Sequence, residues 1–388
     1  MTTVNPSTKP QSTLRPRLAV TALFLANGNA IGLWAATIAP IKLEFGLSDF
    51  QLSMVLLAFA VGAILTMTVT GHIQARFGSA RVTLWTSLLF ALVLPLPGLM
   101  PNLGTLALTI LIFGACNGAM DVTMNGHGAV VERLSGKPMM SSFHAAFSLG
   151  CLLGSGTGRF ILAAGHGPLA TMGTASAIAL VLTLGFATSL KVDDEGHAEP
   201  SPGLALPSRA VLLVGGLCFL CMFAEGAIAE WSGVYLVSAA AATTAVATSG
   251  YTGFAFAMTI GRMLGDRIVH RLGAARVVTL GAAIAAFGLA LTLAVPRVEV
   301  AVIGYALAGI GIANIVPVLF SAGGNAVAGH PGVGVAMAAT CGYAGFLLSP
   351  PLIGVFAEVF SLRVALVSLA VALAIVAVGA RPVLARRA

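Results

Sequence analysis

The 388-residue chain is poor in charge, because Asp, Glu, Lys and Arg together make up only 9% of it, whereas hydrophobic residues make up 58%. Soluble domains carry about 25% charged residues, so a water-soluble core does not account for this composition. A bilayer core of about 30 Å needs about 20 helical residues to cross it, and apolar runs of that length recur about twelve times. The composition therefore predicts an all-α membrane protein with 12 transmembrane helices.

Other absences exclude classes of function. The chain has no Gly-x4-Gly-Lys-Ser/Thr loop, which excludes ATP-driven transport within it. The five cysteines all lie in apolar runs, which favours small packing residues over a disulfide framework or a metal site. No Ser/His/Asp set or carboxylate pair lies at a predicted helix end, so an enzyme is not expected. The net charge of +7 is spread between apolar runs, so nucleic acid is not an expected partner. No cofactor is expected either.

The basic residues indicate how the chain is oriented in the membrane. With the N-terminus inside, 16 of the 20 Lys and Arg residues lie on the cytoplasmic side, and only Lys42, Arg159, Arg297 and Arg363 lie outside. The positive-inside rule then predicts that both termini are cytoplasmic.

The longest polar segment separates six predicted spans from six others, as a linker between two halves does. We therefore predict two pseudo-symmetric six-helix bundles with the following boundaries: cytoplasmic tail 1–16, N-terminal bundle 17–190, cytoplasmic linker 191–208, C-terminal bundle 209–380 and cytoplasmic tail 381–388.

The two halves also match in sequence. Residues 76–82 (Arg-Phe-Gly-Ser-Ala-Arg-Val) align with residues 271–277 (Arg-Leu-Gly-Ala-Ala-Arg-Val), a shift of 271 − 76 = 195. At the same shift, residues 149–155 align with residues 344–350. Parallel repeats of this kind place a substrate site between the two halves near the membrane midplane.

The loop at 71–78 (Gly-His-Ile-Gln-Ala-Arg-Phe-Gly) resembles the signature loop of the major facilitator superfamily, with its Gly, Arg and Gly in place. Ala75 replaces the acidic residue of that loop, and Ser79 and Ala80 replace its two basic residues. The resemblance covers almost the whole chain. It implies secondary transport by alternating access between two six-helix bundles.

Span four carries the pattern Gly114-x3-Gly118-x2-Asp121-x3-Asn125, which resembles the fucose–proton symporter branch of that superfamily and its uncharacterised bacterial inner-membrane relatives. Four further segments are similar to the latter group: Trp34-Ala, His144-x2-Phe147-Ser-Leu-Gly, Ala224-Glu225-Gly226 and Gly261-Arg262. The fucose-type carrier has an acid in span one, but the first acid here is Glu44. Fucose itself is therefore not implied.

Three residues are candidates for proton coupling: Asp121, Glu225 and His144. A carboxylate inside a span is costly, by roughly 2.5–3.5 kcal/mol on insertion scales, which favours a functional role over helix packing. His144 is predicted at nearly the depth of Asp121, so the two residues are a candidate proton relay. The alternative for His144 is a structural hydrogen bond to a backbone carbonyl.

Polar and aromatic residues at similar depths are candidates for solute contact, although hydrogen bonding between helices is an equally good interpretation of each. They are Asn27, Asn29, Trp34, Asn125, Tyr251, Asn314 and Tyr343. In span ten, Pro317 is expected to loosen the helix close to Asn314.

Charged residues toward the cytoplasmic ends of the spans are candidates for gating: Arg76, Arg262, Asp266 and Arg271. No basic residue is expected near mid-membrane, which disfavours a strongly anionic solute and favours a sugar, a polyol or a cation. Glu230 is about 140° around its helix from Glu225 and, with Trp231, is expected to be an ordinary interfacial residue.

The sequence thus predicts a secondary active transporter that moves a small polar solute, such as a sugar or polyol, across the bacterial inner membrane with proton coupling. Its expected partners are the solute, protons and the lipid bilayer, and a monomer is expected. The alternatives are a proton-driven exporter or drug antiporter of the same fold. A non-transporting membrane sensor is disfavoured, because no extramembrane segment is large enough to signal.

Overall fold

The computed structural model describes residues 14–136, 139–191, 208–327 and 331–384. The elements in these ranges are helices, apart from short connections. The α-helices are α1 (Leu14–Glu44), α2 (Asp49–Phe77), α3 (Ser79–Val93), α4 (Leu103–Ser135), α5 (Met140–Ala163), α6 (Pro168–Phe186), α7 (Arg209–Ala240), α8 (Thr244–Leu272), α9 (Ala274–Ala294), α10 (Val298–Ile312), α11 (Ile315–Gly324), α12 (Pro331–Val359) and α13 (Leu362–Leu384).

These helices make twelve spans, because α10 and α11 form one span that breaks at Asn314. Eleven of the described spans are long and apolar enough to cross a membrane. The twelfth, α8, is 29 residues long but is richer in Thr, Ser and Gly and contains Arg262. Large apolar side chains such as Phe160 (76% exposed) and Val378 (79% exposed) point outward, as lipid-facing residues do. The predicted fold class is confirmed.

Local signals in the sequence set several helix boundaries. Ser48 caps α2 and accepts a hydrogen bond from the Gln51 backbone, while the Gln51 side chain accepts one from the Ser48 backbone. This reciprocal arrangement is a capping box. Asn102 caps α4 by accepting from the Thr105 backbone, and Ser208 begins α7 in a similar way. The spans therefore start where polar capping residues precede apolar runs.

The internal repeat is visible in the backbone. Gly78 and Gly273 are 195 positions apart, and both have positive φ, at 89° and 78°, where α3 and α9 begin. A side chain would be strained in that conformation, so glycine is needed in both halves. The 195-residue shift therefore relates equivalent structural positions.

Contacts between the helices bring the two halves together along two seams. Within the first half, α1 packs along α5 and α6, and α2 packs along α4. In the second half, α7 packs along α12 and α13, and α8 packs along α10. The halves meet where α2 contacts α12 and where α5 contacts α8, while α1 contacts both α7 and α8. The linker lies outside the described residues, so the boundaries of the two bundles remain predictions.

One end of the molecule is closed by the contact between α2 and α12. The Phe50 backbone donates a hydrogen bond to Glu358 Oε2 at 3.1 Å, and Gly354 lies directly against Ser53. Lys42 and Asp49 form a salt bridge of 2.5 Å at the same end. Toward the other end, where α5 begins, the His144 side chain is exposed. The space between the two halves is therefore closed at one end and opens toward the other.

Candidate functional site

A cavity of about 220 Å³ lies between the two halves. Helices α1, α2, α4 and α5 line one side of it, and α7, α8 and α12 line the other. Seven of the predicted site residues line it: Asn27, Trp34, Asp121, His144, Glu225, Arg262 and Tyr343.

Helical spacing explains how α1 and α4 present their polar residues. Asn27 and Trp34 are seven positions apart, two turns along the same face of α1. On α4, Asn117 and Asp121 are four positions apart and both line the cavity. Gly118 on this helix packs closely against Ala63 of α2. The small residues therefore hold α4 against α2, while the polar ones face the cavity.

Asp121 has no cationic partner among the described side chains. Its hydrogen-bond partner is Asn125, whose Nδ2 lies 3.3 Å from Asp121 Oδ1 and 2.8 Å from the Asp121 carbonyl oxygen. An amide stabilises a carboxylate less than a charged donor does. Asp121 can therefore accept either a proton or a cation from the cavity.

Glu225 and Arg262 form an ion pair in the second half, and Arg262 also bonds across to the first half. Arg262 Nη2 lies 3.3 Å from Glu225 Oε1, and Arg262 Nη1 donates to Ser148 Oγ at 2.6 Å. Glu225 and Arg262 belong to the second half, whereas Ser148 lies on α5 in the first. The expectation that no basic residue lies near mid-membrane is wrong, because the long Arg262 side chain carries its guanidinium into the cavity from a backbone position nearer the helix end.

His144 lines the cavity near Asp121, but no hydrogen bond joins the two residues in the described structure. The His144 ring instead packs edge-on against Phe24, with the ring centroids 5.3 Å apart. Transfer of a proton between His144 and Asp121 would therefore require a bridging group or a movement of one side chain.

Asn27 has partners within its own half. Its Nδ2 donates to Asn117 Oδ1 at 3.1 Å and contacts Met120 Sδ at 3.6 Å. These bonds fix the orientation of the Asn27 amide, so its carbonyl oxygen remains available to a bound molecule.

Aromatic side chains make up much of the cavity wall. Trp34 is 5% exposed and packs edge-on against Phe113, while Tyr343 is 40% exposed. Tyr251 lies in an adjoining space of about 60 Å³ that shares Glu225 and Arg262 with the main cavity. The predicted aromatic residues thus lie in or next to the site.

Three predicted solute-contact residues, all asparagines, lie outside both the main cavity and the adjoining space. Asn29 packs against Gly150 and Gly154 of α5, Asn125 binds Asp121, and Asn314 donates to the Gly261 carbonyl at 2.9 Å. Asn314 also marks the break between α10 and α11, as the nearby Pro317 predicts. Asn125 and Asn314 thus hold parts of the site in place, whereas the buried Asn29 Oδ1 has no hydrogen-bond partner in the described structure.

Two of the predicted gating residues lie apart from the cavity. Arg76 and Arg271 are exposed in the last turns of α2 and α8, and Arg76 lies over the Phe77 ring at 5.4 Å. The Asp266 side chain lies outside the described residues. Arg262 belongs to the cavity and not to that surface.

Three residues that line the cavity or join the two halves were not predicted from the sequence. Asn117 could have been found, since it lies one turn from Asp121 on the same face of α4. Ser148 gives no signal of its own, because its role depends on Arg262. The interpretation of Glu230 and Trp231 as ordinary interfacial residues is wrong: Glu230 lines the cavity, and Trp231 is fully buried. The cavity spans a wide arc of α7, so residues 140° apart both line it.

The Major Facilitator Superfamily profile matches residues 18–250. An uncharacterised MFS-type transporter of Yersinia pestis is 37% identical over 362 residues, which cover 93% of this chain and 94% of that protein.

Two solved structures have a similar fold. An inward-facing, occupied structure of a bacterial homologue of the human lysosomal transporter Spinster superposes with a TM-score of 0.74 and 15% identity, over 98% of each chain. The outward-conformation structure of FucP superposes with a TM-score of 0.64 and 17% identity, over 96% of this chain and 99% of that one.

Proposed function

The chain belongs to the Major Facilitator Superfamily, and we propose that it is a proton-coupled secondary transporter of a small polar solute in the bacterial inner membrane. The observation that carries this proposal is the cavity between the two halves, which combines buried carboxyl groups with hydrogen-bonding side chains. All the described residues that line the cavity come from one chain, which supports a monomer as the working unit.

The size of the cavity supports a small solute. Its volume of about 220 Å³ is below the range of about 300–1,000 Å³ that is typical of pockets for drug-sized ligands. It exceeds the roughly 150 Å³ of an engineered cavity that holds benzene. A molecule with one six-membered ring, or an open chain of similar size, therefore fits better than a multidrug substrate.

Alternating access is supported by the closed and open ends of the molecule. The positive-inside pattern assigns the closed end, with Phe50 and Glu358, to the outside. The cavity then opens to the cytoplasm, so the structure corresponds to an inward-facing state.

Proton coupling is assigned to Asp121, Glu225 and His144. Asp121 has no cationic partner in the described structure, so a proton bound there would remove a costly buried charge. Protonation of Glu225 would break its pair with Arg262, which also donates to Ser148 in the opposite half. His144 lies on the route from the open end to Asp121.

Solute contact is assigned to the cavity residues Asn27, Trp34 and Tyr343. The carbonyl oxygen of Asn27 accepts hydrogen bonds, and the two aromatic side chains offer flat apolar surfaces with a polar edge. Asn29, Asn125 and Asn314 retain packing roles.

Uphill uptake in proteoliposomes tests the proposal. The solute is first identified as the member of a metabolite panel that most stabilises the purified protein, since binding to the folded state raises its melting temperature. Wild-type protein should concentrate this solute when the lumen is made alkaline, and a protonophore should abolish the accumulation. Asp121→Asn or Glu225→Gln should abolish it as well, with the melting temperature little changed.

Glu299→Gln is the matched control, because Glu299 is 75% exposed and pairs only with Arg297 at 3.8 Å. Uptake by that variant should equal that of wild type. Accumulation that persists in both Asp121→Asn and Glu225→Gln would show that the coupling residues are wrongly assigned.

A further inference from the structure

Glu230 is a cavity residue with an unsatisfied carboxyl oxygen. It lies five residues after Glu225 on α7, which is about 7.5 Å deeper toward the closed end at 1.5 Å per residue. Its Oε2 is buried and has no hydrogen-bond partner in the described structure. A buried carboxyl group without a partner is costly, and such groups in native proteins are usually satisfied by something.

The charges in the cavity are unbalanced in favour of acids. Arg262 is the one Arg or Lys among the described lining residues, and it is already engaged by Glu225 and Ser148. Asp121 and Glu230 both lack a cationic partner there. His144, the remaining ionisable base of the lining, sits near the open end, away from Glu230. A cationic solute would supply the partner that the protein itself does not provide at Glu230.

The surroundings of Glu230 also suit a cation. Ala39 of α1 packs beside Gly233 of α7, and these helices run in the same direction. Counting back along each helix therefore puts Trp34 and Glu230 about two residues, or about 3 Å, apart in depth. An indole face attracts a cation that lies within about 6 Å of it. A carboxylate and an aromatic side chain that line one cavity at similar depth suit an ammonium group.

We propose that the transported solute carries a protonated amine and that Glu230 accepts its N–H bonds at the closed end of the cavity. This inference rests on the proposed transport function and specifies its substrate class. The rest of the solute, about the size of a single ring, lies between the aromatic walls, with a hydroxyl group that donates to the carbonyl oxygen of Asn27. The ammonium supplies the partner that the Glu230 carboxylate lacks in the described structure.

Thermal stabilisation of the purified full-length protein by matched compounds tests the proposal. Each set pairs an amine with twins that lack the positive charge: D-glucosamine with D-glucose and N-acetyl-D-glucosamine, cyclohexylamine with cyclohexanol, and 4-aminobutanol with 1,4-butanediol. Amines should raise the melting temperature, and their neutral twins should not. Glu230→Gln should weaken the apparent affinity for the best amine about tenfold or more, as loss of a hydrogen bond to a charged group does.

Glu299→Gln should bind the amine as wild type does, and Glu230→Asp should retain a preference for amines. The proposal is overturned if neutral twins stabilise as strongly as amines, if no amine in the sets stabilises the protein, or if Glu230→Gln binds the amine at wild-type affinity. The last outcome would make Glu230 a site for a proton and not for the solute. The comparison of twins uses wild-type protein, so it remains decisive even if Glu230 variants fold poorly.

Transport assays separate this inference from the transport proposal. A neutral solute that stabilises the protein and is concentrated by a proton gradient would overturn the amine assignment and leave proton-coupled transport standing. An amine that binds at Glu230 but is never transported would overturn the transport proposal and leave the binding of an amine at Glu230 standing.

Discussion

Arg262 is the residue on which both halves of the molecule converge. Its guanidinium bonds to Glu225 in its own half and to Ser148 in the other, at 3.3 and 2.6 Å. A guanidinium presents several donors in a rigid plane, so it can hold two partners at once, whereas a lysine ammonium is a single compact charge. The position therefore uses the shape of arginine as well as its charge.

Arg262→Lys is expected to reduce solute uptake at least tenfold with little change in melting temperature. The lysine keeps the charge beside Glu225 but cannot also reach Ser148, so the contact across the halves is lost. Uptake into proteoliposomes measures the effect. Arg297→Lys is the control, since Arg297 is exposed and pairs only with Glu299. Equal uptake by wild type and Arg262→Lys would show that the contact with Ser148 has no role.

The sequence predicted some of these residues because intramembrane carboxylates are conspicuous. Asp121 and Glu225 are acids inside long apolar runs, and both line the cavity. Arg262 was placed at the helix end from the depth of its backbone, which ignores about 6 Å of side-chain reach. Glu230 was excluded because it lies about 140° around an ideal helix from Glu225. The arc of α7 that faces the cavity also depends on how far the surrounding helices diverge, and it is wide enough to include both residues. Distances between packed helices are set by the tertiary fold, so no local sequence pattern reports them.

At the scale of helices, glycines set how closely neighbouring spans approach. A Cβ at Gly114 would collide with the Phe59 carbonyl of α2, and a Cβ at Gly309 would collide with the Phe254 carbonyl of α8. The glycines are 309 − 114 = 195 positions apart, and so are the phenylalanines (254 − 59 = 195). The same close crossing is therefore built twice, once in each half.

Gly114→Ala and Gly309→Ala are each expected to destabilise the protein, because a methyl group would force two backbones apart. Overpacking of this kind costs roughly 1–3 kcal/mol. The melting temperature of each variant in detergent measures the loss. Gly173→Ala on α6 is the control, since its Cβ would meet nothing within 4 Å. A melting temperature for Gly309→Ala as high as that of the control would contradict the account of the crossing.

The repeat was predictable from the sequence because both copies of the duplicated loop keep their glycine and arginine residues. Residues 76–82 and 271–277 align around Gly78 and Gly273, and the structure gives both glycines positive φ. The break in span ten was also predictable from Pro317. Which faces of the helices meet across the halves was not, because contacts such as Arg262 to Ser148 and Phe50 to Glu358 join residues far apart in sequence, with no local pattern to pair them.

For the molecule as a whole, the closed end is formed by a contact between helices α2 and α12 of the two halves. Gly354 on α12 lies against Ser53 on α2, and Glu358 accepts a hydrogen bond from the first turn of α2. The proposed transport by alternating access requires this contact to separate when the cavity opens on that side.

Gly354→Phe is expected to hold the outer end open, because the ring would occupy the space where α2 and α12 meet. Spin labels on cysteines at Glu44 and Ser361, in a background without the native cysteines, report the width of that end. The distance between the labels should increase, and uptake should fall. Gly173→Phe is the control and should leave the distance unchanged. An unchanged distance in Gly354→Phe would show that this contact does not close the outer end.

The most direct test of proton-coupled transport is proton movement driven by the solute alone. Proteoliposomes with a pH-sensitive dye in the lumen, and no initial pH gradient, receive the solute that stabilises the protein most, with protein-free liposomes correcting for passive permeation. Wild-type protein should acidify the lumen, and Asp121→Asn should not, even though the solute still stabilises the variant. Solute uptake by wild type without acidification, or equal acidification by Asp121→Asn, would contradict the account.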